Sequence, residues 1–163
     1  MILALRRDLT TPLFGEMSFL SSLVRVAGFT RHSFYILGEI MKTVTEFVTL
    51  ATDRKVYDDQ KKRRFHRLGK AIMKTIVKEL GLPEGTYSIR SKTGGCTVSG
   101  EVILHANRFY VQFYQTAFLG DHFLYRDCKG QDDYTGGQNR FYPYSKLEDI
   151  GDFVKVIKKL AGI

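Results

Sequence analysis

Apolar residues recur along this chain first at helical spacing and then in alternation. Between 43 and 52, Val44, Phe47, Val48 and Ala51 return every three or four positions and predict a helix. A polar stretch from Asp53 to Asp59 ends it. A longer helix is predicted over 59–80, where Phe65, Leu68, Ile72, Ile76 and Leu80 form one apolar stripe. Gly81 followed by Leu82 and Pro83 supplies the order of a Schellman-type ending.

The period then changes to two. Thr86 to Lys92 alternates, with Tyr87 and Ile89 on one side, and Gly94-Gly95 offers a tight hairpin turn. Thr97 to His105 reads as a second strand, Ala106-Asn107 as a turn, and Arg108 to Thr116 as a third strand dense in aromatic and β-branched residues. A loop through Gly120 leads to a fourth strand, His122 to Asp127. Facing residues of a hairpin share one side of the sheet. A turn at Ala106-Asn107 sets Leu104 opposite Phe109 and Val102 opposite Val111, and a turn at Gly94-Gly95 sets Tyr87 opposite Val102. Phe113, Phe123 and Tyr125 extend the same apolar face. Phe109, Val111 and Phe113 are therefore expected against Ile72, Ile76 and Phe153.

Residues 128–144 read as a long irregular segment. Ser145 and Glu148 match a capping box, and Ile150, Phe153, Val154, Ile157 and Leu160 give a final helix its buried stripe. The fold class is α+β: helices packed on one face of a three- to four-stranded antiparallel meander, closed by a C-terminal helix.

Residues 1–40 carry four Arg and no Lys, and show no sustained periodicity, although a short helix over 17–27 fits. They read either as an N-terminal appendage or as an upstream extension of the reading frame. Residues 41–163 then form a single domain, and a chain starting at Met41 is expected to fold. No stretch approaches the roughly 18 consecutive apolar residues of a membrane span. Asp8, Pro12 and Glu16 break the pattern of a signal peptide. A cytoplasmic protein without a membrane partner is expected.

Composition adds a direction. The 163 residues carry a net charge of +8, which favours acidic partners such as nucleic acid or anionic lipid. Cys96 and Cys128 are the two cysteines, fewer than a secreted domain of this size often uses, and read as reduced thiols, with a single disulfide as the alternative.

Three surfaces carry candidate chemistry. Arg63, Arg67, Lys70, Lys74 and Lys78 step by four, three, four and four along the 59–80 helix, opposite its apolar stripe. Such a row of like charges can track a phosphate backbone, or it can be an ordinary solvated face. The sheet face opposite the core is expected to show Arg90 and Lys92, then Arg108, Tyr110, Gln112 and Tyr114, then Arg126. Tyrosine rings between cations are what a single-stranded nucleic-acid platform uses. If residues 1–52 cover that face, the rings are packing instead. The 128–139 loop combines Gly130, Gly136 and Gly137 with Lys129, Asp132, Asp133, Tyr134, Gln138 and Asn139, and is either functional or a glycine-shaped connection. It has neither a phosphate-loop nor an EF-hand pattern. A zinc site from Cys96, His105, His122 and Cys128 lacks paired ligand spacing, and no catalytic signature surrounds either cysteine. No cofactor is expected.

Two resemblances accompany these residues. The order helix, three antiparallel strands, helix over roughly 59–163 resembles the double-stranded-RNA-binding domain. That family opens its second helix with a KKxAK cluster, whereas here Leu147, Glu148 and Asp149 stand at that point and Lys158-Lys159 at the far end. The segment FLYRDCKGQDDYTGGQNRF, residues 123–141, resembles one found in small, uncharacterised tailed-bacteriophage proteins. That likeness implies a phage protein acting in the host cytoplasm and transfers no activity.

The leading expectation is a non-enzymatic accessory protein that binds nucleic acid, single-stranded or through its backbone, or modulates a host factor. The alternative is a structural or protein-interaction module that self-associates or binds an acidic protein surface. A small enzyme using the 128–139 loop is a third reading, favoured if that loop meets Cys96 or His105.

Overall fold

A computed structural model of the chain describes residues 31–53, 58–94, 97–115 and 121–163. The expected 17–27 helix lies outside them. The chain divides into two units, 1–38 and 39–163. Of the first, the described part is the opening of helix α1 (Arg31–Thr52). The core and the sites belong to the second. Helix α1 starts well before the expected position 43, and in the second unit it buries Val44, Phe47 and Ala51, three of the residues its periodicity picked out.

Helix α2 (Asp59–Leu80) matches the predicted bounds. The Asp58 carboxylate accepts the Lys61 backbone N–H at 2.7 Å, satisfying one of the amides a helix start leaves unpaired. At the other end the Gly81 N–H donates to Lys78 O and the Leu82 N–H to Val77 O, the two bonds of a Schellman motif, with Gly81 at φ 64°. Phe65, Leu68, Ile72, Met73, Ile76 and Val77 are buried against the sheet.

The sheet has five strands paired antiparallel in chain order: β1 (Tyr87–Lys92), β2 (Glu101–Ala106), β3 (Phe109–Tyr114), β4 (His122–Asp127) and β5 (Arg140–Pro143). Strand β5 lies inside the segment expected to be irregular. Four residues ending in proline give too little alternation to read, and such a strand suits a sheet edge.

The hairpin registers differ from expectation without turning a face over. Leu104 pairs with Val111 and Val102 with Phe113, so the β2–β3 turn falls at Asn107-Arg108. Tyr87 pairs with Ala106 and Ser91 with Val102, because the chain between β1 and β2 is longer than a two-residue turn. Each shift is an even number of residues, so the apolar set stays on the core side. Phe109, Val111 and Phe113 share the core with Ile72, Ile76 and Phe153, as expected. Phe123 packs edge-on to Phe113 and Phe153 at ring separations of 4.9 and 5.0 Å.

A 3-10 turn (Tyr144–Glu148) buries Tyr144 and Leu147 before helix α3 (Ile150–Ala161) begins. Burying those two side chains takes Ser145 out of the cap position. Asp149 caps the helix instead, accepting the Asp152 N–H at 3.1 Å. Strands β4 and β5 and the 3-10 turn stand between β3 and α3, so the chain departs from the order of the double-stranded-RNA-binding domain. Among the described residues no helix is long and apolar enough to cross a membrane.

Candidate functional site

Helix α2 packs its apolar stripe on the sheet and turns its cations outward. Arg63, Arg67, Lys70, Lys74 and Lys78 are all exposed. Four of them, Arg63, Arg67, Lys70 and Lys74, line one open groove of about 520 Å³ together with His66, Ala71, Ser91 and Thr93. Lys78 lies beyond it, in the last turn of the helix. The far wall comes from the end of β1 and the residue after it. The neighbouring Arg64 is committed elsewhere, to an ion pair with Glu46 of α1 that holds the Glu46 carboxyl below its usual range. None of the groove's own cations makes an ion pair among the described residues, although Arg67 adds to the field that lowers Glu46.

His66 forms the floor and is 4% exposed. Its Nε2 lies 2.9 Å from the Ser99 carbonyl oxygen and its Nδ1 2.7 Å from Ser91 Oγ. Desolvation pushes the imidazole down, with the Ser99 carbonyl opposing and Lys70 and Lys62 adding to the effect. Gly100 permits this seat. It stands at φ 72°, and a Cβ there would lie 2.9 Å from His66 Nε2 and run into the Lys92 carbonyl oxygen.

The opposite sheet face is not the open platform that alternation suggested. Tyr110 and Tyr114 are 8% and 6% exposed and Arg126 is 9% exposed. The 128–139 loop closes over the Tyr110 region through Tyr134. Arg126 Nη2 donates to the Tyr134 carbonyl at 2.5 Å, and its guanidinium lies 4.7 Å from the Tyr110 ring centre. Arg90 Nη1 donates to the Tyr134 hydroxyl at 2.6 Å, and Arg90 Nη2 lies 3.3 Å from His105 Nδ1. The His105 ring meets Tyr110 and Tyr134 edge-on at 5.1 and 5.2 Å. Burial pushes the Tyr110 phenol up to about 12. Arg90, Tyr110, Arg126 and Tyr134 thus come together as a packed cluster in which the Tyr110 ring is buried and Tyr134 stays half exposed on the outside.

Inside that loop Asp133 organises the backbone. Its carboxylate accepts the N–H groups of Lys129 at 2.9 Å, Gly136 at 2.6 Å and Thr135 at 3.3 Å, which hold it below the usual range. Lys129 and Asp132 point to solvent. Arg108, expected on the sheet face, instead donates to the Ala161 carbonyl at 3.1 Å and finishes helix α3. Cys128 is a buried free thiol whose Sγ–H donates to Ala106 O at 3.2 Å, and burial pushes it up. Cys96 lies outside the described residues, among which no three His, Cys, Asp or Glu gather as metal ligands.

Of the expected site residues, the structure gathers the helix row and separates it from the sheet cluster. It adds His66, Ser91 and Thr93, which sequence reasoning passed over. The available signal was Ser91, which shares the core parity of Tyr87 and Ile89, and so faces α2 at the turn that carries His66. No family model, curated protein or solved structure matches this chain.

Proposed function

We propose that the protein binds nucleic acid through its phosphate backbone, in the groove lined by Arg63, Arg67, Lys70 and Lys74. The observation that carries this reading is the convergence of four exposed cations, none of them in an ion pair among the described residues, on one open groove. From Arg63 to Lys74 the row runs roughly 16 Å along the helix, the length of several consecutive phosphates. Like charges at this spacing repel one another, and an anionic strand relieves that repulsion. Binding here follows charge and shape rather than base identity, because the buried tyrosines of the opposite face offer no stacking surface.

A salt-titrated binding assay with single-stranded and duplex oligonucleotides tests it. Four phosphate contacts predict that the logarithm of affinity falls with the logarithm of salt at a slope of roughly −3 to −4 on duplex DNA. Absence of binding to either form at micromolar protein and physiological salt overturns the reading. Salt-insensitive self-association would favour an interaction module in its place.

A further inference from the structure

We propose that Ser91 and His66 form a nucleophile–base pair in this groove, directed at phosphate esters. The substrate class rests on the anion-binding reading above. The pairing rests on hydrogen-bond bookkeeping. The Ser99 carbonyl can only accept, so the His66 Nε2 that lies 2.9 Å from it carries the ring proton. His66 Nδ1 is then the bare lone pair, and the Ser91 hydroxyl 2.7 Å away must donate to it. That leaves the lone pairs of Ser91 Oγ unengaged on an exposed residue lining the cationic groove.

A hydroxyl placed to hold an anion would donate its proton to that anion. Here the proton is committed to an imidazole, the arrangement of an activated nucleophile with its base and an orienting third group. The third group is a neutral carbonyl, which fixes the ring but stabilises an imidazolium less than a carboxylate does. Gly100 leaves the ring room on its Nε2 side, where a Cβ would lie 2.9 Å away.

In the first step Ser91 Oγ attacks phosphorus of a phosphodiester and its proton passes to His66 Nδ1. The bond from phosphorus to the leaving alcohol oxygen breaks, and that oxygen takes the proton from Nδ1. A phosphodiester of Ser91 remains. Water then attacks phosphorus, giving its proton to Nδ1, and Ser91 Oγ departs and recovers it. The sum is phosphodiester plus water giving phosphomonoester plus alcohol. Arg63 and Arg67 supply positive charge in the same groove for the phosphoryl oxygens.

The probe is bis(p-nitrophenyl) phosphate with the full chain, read by p-nitrophenolate release and by intact mass for a p-nitrophenylphosphoryl adduct. Wild type should release p-nitrophenolate, S91A should fall to background, and H66Q should lose about 100-fold or more. The adduct should map to Ser91. Wild type that binds oligonucleotide but matches S91A in release and adduct overturns the pair and leaves the groove reading intact. Loss of oligonucleotide binding by wild type itself would strike the groove reading instead. If H66Q does not fold, the S91A comparison decides alone.

Discussion

The Tyr144 hydroxyl serves both backbone groups of Tyr114. It donates to the Tyr114 carbonyl at 2.8 Å and accepts the Tyr114 N–H at 2.9 Å. Strand β3 ends there, and the phenol replaces the ladder partners that the last residue would otherwise lack. Tyr144→Phe keeps the ring in its aromatic cluster but leaves a buried donor and acceptor unmet. Urea denaturation should show a loss of about 1–3 kcal/mol. An unchanged midpoint would mean that water replaces the hydroxyl without cost.

Gly100→Ala should be more damaging than its size suggests. The substitution meets both an unfavourable backbone angle and the carbonyl of Lys92, neither of which can yield like a flexible side chain. A loss above about 1 kcal/mol is expected, together with disturbance of the adjacent imidazole. Denaturation and the His66 ring resonances would report the two effects separately.

The salt slope separates the helix row from the sheet cluster. Arg67→Ala and Lys74→Ala should each flatten it by about one unit and leave sequence preference unchanged. Tyr110→Ala should leave the slope alone and instead cost about 3 kcal/mol of stability, the lower end for a buried aromatic. A Tyr110 variant that folds normally yet loses affinity for single strands would show that the loop opens to admit bases.

Stability should fall on mild acidification. Burial pushes His66 and His105 down, so near pH 6 the unfolded chain holds more protons than the folded one. Stability therefore rises with pH in that range, is complete above about pH 7, and declines as pH drops below the ordinary histidine value near 6.5. The depressed carboxyls of Glu46, Asp127 and Asp133 act lower down, contributing above about pH 4 and losing effect beneath it. Tm measured from pH 7.5 to 5 should drop before any carboxylate titrates. A flat curve over that interval would contradict the burial of both imidazoles in the neutral form.

Much of the fold was legible because its periodicities are long and undisturbed. Helix α2 carries an apolar stripe, a side-chain cap and a glycine stop, and its predicted bounds match. Strand faces were legible for the same reason, since even register shifts preserve parity. Strand β5 was not, because four residues beside a proline leave no pattern. The opening of α1 was missed because its first fully buried side chain, among those described, is Val44, and Ile40 before it is only partly buried. At the site, spacing alone revealed the cation row. Burial of Tyr110 was invisible to alternation, which tells sides apart but not whether a loop covers one. The His66–Ser91 contact joins residues on different elements, and pattern along one element cannot report it.

Because the sheet order follows the chain order, each strand pairs only with its neighbours in sequence. Every hairpin closes a modest loop, so little chain entropy is spent before pairing is rewarded. The longest strand-to-strand connection is the one between β4 and β5, and Asp133 gathers three of its amides into a local turn. Such a topology places most contacts close in sequence and favours rapid refolding for a sheet protein of this size. The sheet can assemble progressively from any hairpin, since no pairing waits on a distant strand.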